Sequence, residues 1–233
     1  EVMSTGVNNV TIGGFAGDAL TTGGYNVAVG YAALSTEDGH GRNTAIGQAA
    51  LSVQNAGADA YNVAVGYNAG ASVSTGANNT IIGGQAGDAL TTGSNNVAIG
   101  RNALSTEDGH GKNVAIGNST LYTLNAGVDA YNVAVGYEAG YAISTGIENT
   151  IIGGLAGDAL TTGRYNVAVG MYALSTEDGH GFNVAIGRSA LQTLNAGIDA
   201  YNVAVGYDAG AAMSTGPYNT IVGGLAGDAL TTG

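Results

Sequence analysis

A five-residue stretch, Asn26-Val27-Ala28-Val29-Gly30, recurs thirteen times along the chain and constrains the fold more than any other feature. The pattern is Asn, then Val or Thr, then usually Ala or Ile, then Val or Ile, then Gly. Nine of the twelve intervals between copies are 17 residues, three are 19, and the long intervals are 70 residues apart. The 233 residues therefore form three super-repeats, 1–70, 71–140 and 141–210, and a partial fourth, 211–233. Self-similarity at such a period indicates stacked structural units.

The repeated stretch is short, β-branched and bounded by Gly-rich turns, which is typical of a strand. One such strand cannot fold alone, but stacked copies can pair above and below. We therefore predict an all-β chain, a parallel β-solenoid of about thirteen coils of 17–19 residues. We also predict a second short strand in each coil, from apolar pairs that follow the Gly: Ala33-Leu34, Ala50-Leu51, Ala103-Leu104, Ala173-Leu174 and Ala190-Leu191.

Neither face of the repeated strand is charged. Side chains alternate across a strand, so Val27 and Val29 point one way and Asn26 and Ala28 point the other. A strand that is apolar on both faces is expected to be buried on both faces. One face can fill the coil interior, and identical chains around a common axis would cover the other. The sequence thus predicts a parallel homotrimer in which Ile82→Asp abolishes folding or assembly, because it would bury an unpaired charge.

Composition excludes several classes of function. Only 9% of residues are charged, against roughly 25% in ordinary soluble domains, so we expect other chains to cover much of the surface. The net charge is −12 and the five basic residues are not clustered, which argues against nucleic-acid binding. No stretch approaches 18 apolar residues, so we expect no membrane insertion. Near-identical units do not concentrate different groups in one pocket, so we expect no enzyme and no cofactor.

Strands of the form Asn-Val-Ala-Val-Gly, one per coil with Gly-rich turns, resemble the β-roll heads of trimeric autotransporter adhesins. The wider pattern around Tyr25 to Tyr31 also resembles repeat regions of tail-fibre-like proteins of marine cyanophages. The resemblance covers the whole chain and implies a left-handed roll that trimerises. The Val or Thr after each Asn, and the longer coils, depart from the adhesin pattern. No adhesin ligand is therefore carried over.

The Asn that opens each strand is a candidate structural residue. Stacked Asn side chains in repetitive β structures form ladders that satisfy one another and the turn backbone. The predicted ladder comprises Asn26, Asn43, Asn62, Asn79, Asn96, Asn113, Asn132, Asn149, Asn166, Asn183, Asn202 and Asn219.

A loop that contains His and two acids recurs once in each super-repeat. Carboxylates beside Gly can hold Ca²⁺, but two acids are few for six or more oxygen ligands, so the sequence favours a solvated corner over a metal site. The candidate metal-ligating residues are Glu37, Asp38, His40, Glu107, Asp108, His110, Glu177, Asp178 and His180.

Thirteen tyrosines flank the strands and leave two interpretations open. As a ladder they would seal the coil edges or a chain interface, which is favoured because aromatic rings bury a large apolar area. As an exposed row they could bind glycans. The sequence predicts the shaft of an extracellular fibre, a phage tail fibre in particular, with a receptor recognised by a tip outside this segment. The alternative is a bacterial surface adhesin head. Either places the chain on a virion, outside the cell or at a cell surface.

Overall fold

The computed structural model describes residues 5–233, and in that range the regular elements are thirteen strands of three residues each. They are β1 (Val10–Ile12), β2 (Val27–Val29), β3 (Thr44–Ile46), β4 (Val63–Val65), β5 (Thr80–Ile82), β6 (Val97–Ile99), β7 (Val114–Ile116), β8 (Val133–Val135), β9 (Thr150–Ile152), β10 (Val167–Val169), β11 (Val184–Ile186), β12 (Val203–Val205) and β13 (Thr220–Val222). Each strand lies within one copy of the repeated stretch, and residues 5–233 contain no helix.

The chain divides into two compact units, one ending at Asn113 and the other beginning at Val114. The first unit holds β1–β6 and the second holds β7–β13. Within each unit consecutive strands pair in parallel, and equivalent residues stand opposite each other, as Val27 does with Thr44. The prediction of an all-β parallel solenoid of about thirteen coils is confirmed.

The predicted second strand is wrong. The segment that follows Gly30 is a series of turns, in which Ala32 has φ 55° and Leu34 has φ 51°. Residues in this left-handed region cannot continue a strand, because β conformation requires negative φ. Leu34 still faces the core and is fully buried, and its N–H donates to the Ala50 carbonyl of the next coil at 2.9 Å. The coil therefore obtains its second apolar wall from stacked turns.

The interior is filled by alternating large and small residues on the two walls of a coil. Where the strand centre is Ala28, the turn wall carries the buried Leu34. Where the strand centre is Ile81, the equivalent turn position is Gly87, and a Cβ added there would lie 3.5 Å from the Ile81 side chain. The large side chain thus lies on the turn wall in one type of coil and on the strand in the other, and either arrangement keeps the narrow core densely packed.

One coil in each super-repeat is small at both of these positions. Ala64 is its strand centre and Gly70 its turn position. The space beside Gly70 is taken by Ile81 and Leu51 from the two neighbouring coils and by the buried Val73 of the same coil, whose methyl groups would lie 2.9, 3.1 and 3.2 Å from a Cβ at that position. Side chains of the neighbouring coils therefore help to fill this one, and the packing of one coil depends on the coils beside it.

The glycines that end the strands form a stacked column. Gly30 has φ +134°, and a Cβ built on it would lie 2.5 Å from the carbonyl oxygen of Gly47 in the next coil. Only Gly adopts this backbone conformation without strain and also allows the next coil to approach so closely. The column explains why the fifth position of the repeat is Gly in every copy.

The outer face of the strands remains exposed in the single chain. The central side chains are buried, but the flanking Val, Thr and Ile side chains are only partly covered. Ile82 is 37% exposed and Ile152 is 40% exposed. The expectation that Ile82 lies in a buried position therefore does not hold within one chain, and a partner would have to cover it.

Candidate functional site

The Asn at each strand start connects three successive layers of backbone. The N–H of Asn79 donates to Asn62 Oδ1 at 2.9 Å, and Asn79 Oδ1 accepts from the N–H of Asn96 at 2.9 Å. Asn79 Nδ2 donates to the Gly93 carbonyl at 2.9 Å. Asn79 is 1% exposed, so these bonds lie out of contact with water. The Asn side-chain amide thus forms hydrogen bonds with buried backbone groups, so its role is structural.

The same arrangement recurs along both units. Links from a backbone N–H to the Oδ1 of the preceding Asn involve Asn26, Asn43, Asn62, Asn79, Asn96, Asn113, Asn149, Asn166, Asn183, Asn202 and Asn219. Asn132 accepts from Asn149 and donates to the Gly146 carbonyl. The ladder thus runs mainly between side chain and backbone.

The first of the His loops, Glu37–His40, departs from a solvated corner. Glu37 is fully buried, whereas Asp38 is exposed and the His40 side chain is 37% exposed. Glu37 Oε1 accepts the backbone N–H of His40 at 3.0 Å. Burial raises the pKa of the Glu37 carboxyl above its ordinary value, and the bond from the His40 backbone opposes that rise. Glu37, which the sequence suggests is a surface residue, is therefore part of the interior.

The other two His loops, Glu107–His110 and Glu177–His180, repeat this arrangement. In each, the Glu is buried and accepts the backbone N–H of the His, at 3.1 and 3.2 Å. The His Nδ1 lies 3.7 Å from Glu107 Oε1 and 3.5 Å from Glu177 Oε1 in the respective loops. Each of the three loops thus brings together a buried Glu carboxylate, an exposed Asp carboxylate and a His imidazole.

The residue before each ladder Asn forms an exposed column. The sequence placed its tyrosines in a ladder or an exposed row and did not single out its other members. The residue at this position has left-handed φ in every coil, for example 61° at Tyr25 and 64° at Arg42. The Arg42 guanidinium lies over the Tyr25 ring at 5.1 Å and the Tyr61 ring at 5.5 Å, and its Nε donates to Asp59 Oδ2 at 2.7 Å. The order Tyr25, Arg42, Tyr61 at coil spacing was the signal for this contact in the sequence.

In the second unit the same column is a stack of rings. Phe182 lies between Tyr165 and Tyr201, with ring centroids 4.9 and 4.7 Å apart, and Tyr218 stacks on Tyr201 at 5.6 Å. Tyr201 is 46% exposed and Tyr218 is 74% exposed. The rings cover one another face to face while their edges stay in contact with solvent. A shallow depression beside this stack is lined by Tyr131 and Glu148.

Two further carboxyls outside the His loops are half-buried. Asp88 and Asp158 each keep one buried oxygen without a hydrogen-bond partner in the described part of the chain. Burial raises the pKa of both carboxyls. A raised pKa in the folded state means that stability is fully present below the unfolded pKa and is lost as the pH rises through the folded pKa.

We therefore expect the unfolding midpoint to rise as the pH is lowered from 7 towards 4.5. The double variant Asp88→Asn, Asp158→Asn should be more stable than the wild type at pH 7 and should depend less on pH. Chemical denaturation followed by circular dichroism at several pH values measures both. Asp18→Asn changes the equivalent, exposed residue of the first super-repeat and is the control. A double variant with the wild-type pH dependence would contradict the expectation.

Among residues 5–233 there is no helix long and apolar enough to span a membrane. No protein-family model matches the chain, and no curated protein or solved structure matches it either. The candidate features are therefore judged by their geometry. They are the outer strand face, the exposed column and the three His loops.

Proposed function

We propose that the chain is the shaft of an extracellular fibre, a phage tail fibre in particular, built from three parallel copies. The observation that carries the proposal is the outer strand face, which is uncharged and partly exposed in every coil of the single chain. Two side chains per coil, such as Thr80 and Ile82, stand on this face beside their copies in neighbouring coils. A continuous apolar face of this kind favours a partner, because large exposed apolar patches mark interaction surfaces.

A second copy of the chain is the partner that fits this face best. The face repeats at intervals of 17 and 19 residues, and a parallel identical chain repeats at the same intervals, so apolar rows can meet coil by coil. Low charge supports the proposal, since like charges would otherwise face each other across a symmetric interface. Three chains around one axis would cover the face of each chain without leaving an open edge.

Light scattering of the purified chain tests the assembly directly. We expect a solution mass of three times the chain mass of 22.7 kDa. Ile82→Asp should lower that mass to one chain while the β spectrum by circular dichroism remains, because Ile82 is 37% exposed within a single chain and would be buried only in the assembly.

Ile82→Thr is the matched control. Thr is β-branched, uncharged and already present on this face at residue 80, so the variant should keep the assembled mass. A wild-type chain that stays monomeric over the accessible concentration range would overturn the trimer, and so would an Ile82→Asp chain that keeps the full mass.

The exposed ring stack supports a second candidate, a surface adhesin that binds glycans. Tyr165 and Tyr201 are 39% and 46% exposed and offer ring edges and hydroxyl groups at coil spacing, and a phenol hydroxyl can exchange hydrogen bonds with sugar hydroxyls. Binding of the assembled chain to a glycan array, lost on Tyr201→Ala, would favour the adhesin. A chain that assembles and binds no glycan would favour the shaft, with recognition located elsewhere in the fibre.

A further inference from the structure

Two pairs of tyrosine rings stack face to face between adjacent coils of the second unit. Tyr201 and Tyr218 have ring centroids 5.6 Å apart and planes 6° from parallel. Tyr122 and Tyr141 have ring centroids 5.2 Å apart and planes 5° from parallel. Among residues 5–233 these are the two places where one phenol ring lies directly on another. Each pair therefore holds two groups of the same reactivity side by side.

The backbone fixes both pairs in place. The Tyr218 N–H donates to the Ala200 carbonyl at 2.7 Å, which ties its segment to that of the preceding coil. The Thr123 N–H donates to the Tyr141 carbonyl at 3.3 Å, which joins the turns that carry Tyr122 and Tyr141. The ring edges remain accessible, since Tyr218 is exposed and Tyr122 is only half-buried. The rings are thus held close together in the folded chain and stay open to an oxidant from solvent.

The repeat does not by itself produce a phenol pair. Phe182 lies against the other face of Tyr201, and a ring without a hydroxyl group does not form a phenoxyl radical. Glu148 and Asn78 stand at the positions equivalent to Tyr218, one and two super-repeats earlier. The pairs are therefore single sites in a chain that otherwise repeats, and their chemistry can be tested one pair at a time.

Composition makes tyrosine the main target of one-electron oxidation. The chain has thirteen Tyr but no Trp and no Cys, the two other side chains that readily give up a single electron. Methionine, which occurs three times, takes up an oxygen atom instead. An unpaired electron that is generated on this chain therefore resides on a phenol, and a stacked pair places a second phenol within its reach.

We propose that Tyr201 with Tyr218, and Tyr122 with Tyr141, are oxidative modification sites at which a haem peroxidase and hydrogen peroxide join each pair as dityrosine. Each phenol loses one electron and one proton and becomes a phenoxyl radical. The two radicals form one carbon–carbon bond between ring carbons ortho to oxygen, and each ring regains aromaticity as the proton on that carbon moves to its oxygen. The two electrons and two protons that the pair has lost reduce one hydrogen peroxide to two water molecules.

The product is a covalent link between adjacent coils. Tyr218 is exposed, so its ring can turn from face-to-face towards edge-to-edge contact without moving a buried side chain. The two links join residues that are 17 and 19 positions apart in the sequence. A cross-link that closes such a loop stabilises the folded state mainly by restricting the unfolded chain. Oxidation would therefore strengthen the solenoid at two defined coil junctions.

Mild oxidation of the full chain with hydrogen peroxide and a haem peroxidase, at low protein concentration, tests the proposal. We expect dityrosine fluorescence and, after proteolysis, two cross-linked peptide pairs, each lighter than its parts by two hydrogen atoms. Tyr218→Phe should remove one pair and keep the other, and Tyr141→Phe should do the converse. The oxidised wild type should melt at a higher temperature than the untreated chain, and the double variant should lose this increase.

Tyr137→Phe is the control variant, because Tyr137 is exposed but stacks on no other ring in the described part of the chain. It should leave both cross-links in place. Phe182→Tyr should add a cross-link, since residue 182 lies between Tyr165 and Tyr201. Oxidation of the wild type in urea, where the pairs are separated, should abolish the preference for the two pairs. Cross-links that form mainly between chains on a denaturing gel, mainly at other tyrosines, or with the same pattern in urea would each overturn the proposal.

Discussion

Asn79→Asp is expected to lower the free energy of unfolding by about 3–5 kcal/mol, the usual cost of an uncompensated buried charge. The substitution keeps an oxygen that can accept the Asn96 N–H but replaces the Nδ2 donor. A carboxylate oxygen would then stand about 2.9 Å from the Gly93 carbonyl, where two acceptors repel each other. The residue is 1% exposed, so water cannot relieve the contact.

The neighbouring residue provides the matched control. Asn78 is exposed and has φ 59°, a conformation that Asp also tolerates, so Asn78→Asp should change stability by less than about 0.5 kcal/mol, as surface substitutions usually do. Denaturation followed by circular dichroism compares the two variants. The loss in Asn79→Asp should shrink at acidic pH, because a protonated carboxyl regains a donor for the Gly93 carbonyl. Equal losses in the two variants would show that the ladder does not support the fold.

Gly83→Ala is the second substitution with a large expected effect, a loss of about 3 kcal/mol or more because it combines a steric clash with a strained backbone. The added Cβ would lie 2.5 Å from the Gly100 carbonyl oxygen and 2.6 Å from its carbon. At φ +136° the backbone also disfavours any side chain. The strand below and the strand above fix the position of Gly83, so the coil cannot move aside.

Gly57→Ala separates the steric clash from the backbone strain. Gly57 has φ +69°, but no heavy atom beyond the adjacent residues lies within 4 Å of a Cβ built there. The Gly57→Ala substitution should lower the free energy of unfolding only by the backbone strain, about 1–2 kcal/mol. Thermal melting of both variants measures the difference. A Gly83→Ala chain as stable as the Gly57→Ala chain would mean that the coils can separate locally at no great cost.

The sequence predicted the solenoid well because the Asn, the β-branched positions and the Gly are repeated almost without change. It failed for the second wall of the coil. The pair Ala33-Leu34 has the composition of a strand, yet Leu34 adopts φ 51°. A left-handed backbone is uncommon for Leu, so the local sequence does not indicate this conformation. The conformation results from stacking, in which the Leu34 N–H must reach the carbonyl of the next coil.

The candidate site was only partly accessible from the sequence. The spacing of Glu37, Asp38 and His40 showed that these groups were neighbours, but their charges suggested a solvated corner. The burial of Glu37 depends on how the loop folds over the coil interior, which a sequence pattern does not reveal. The sequence predicted the tyrosines of the exposed column as a ladder or an exposed row. It missed Arg42 and the other members for a related reason, because they differ in chemistry and share only a left-handed backbone.

The uneven core has a consequence for how the gene can change. A shift of 17 residues between two copies would keep every strand in register, yet it would place the Ile81 type of coil against neighbours built for another type. A shift of 70 residues restores strand register and core volume together. We therefore expect recombination between repeats to lengthen or shorten the protein in steps of four coils, and expect variants that gain or lose a single coil to be eliminated by poor packing.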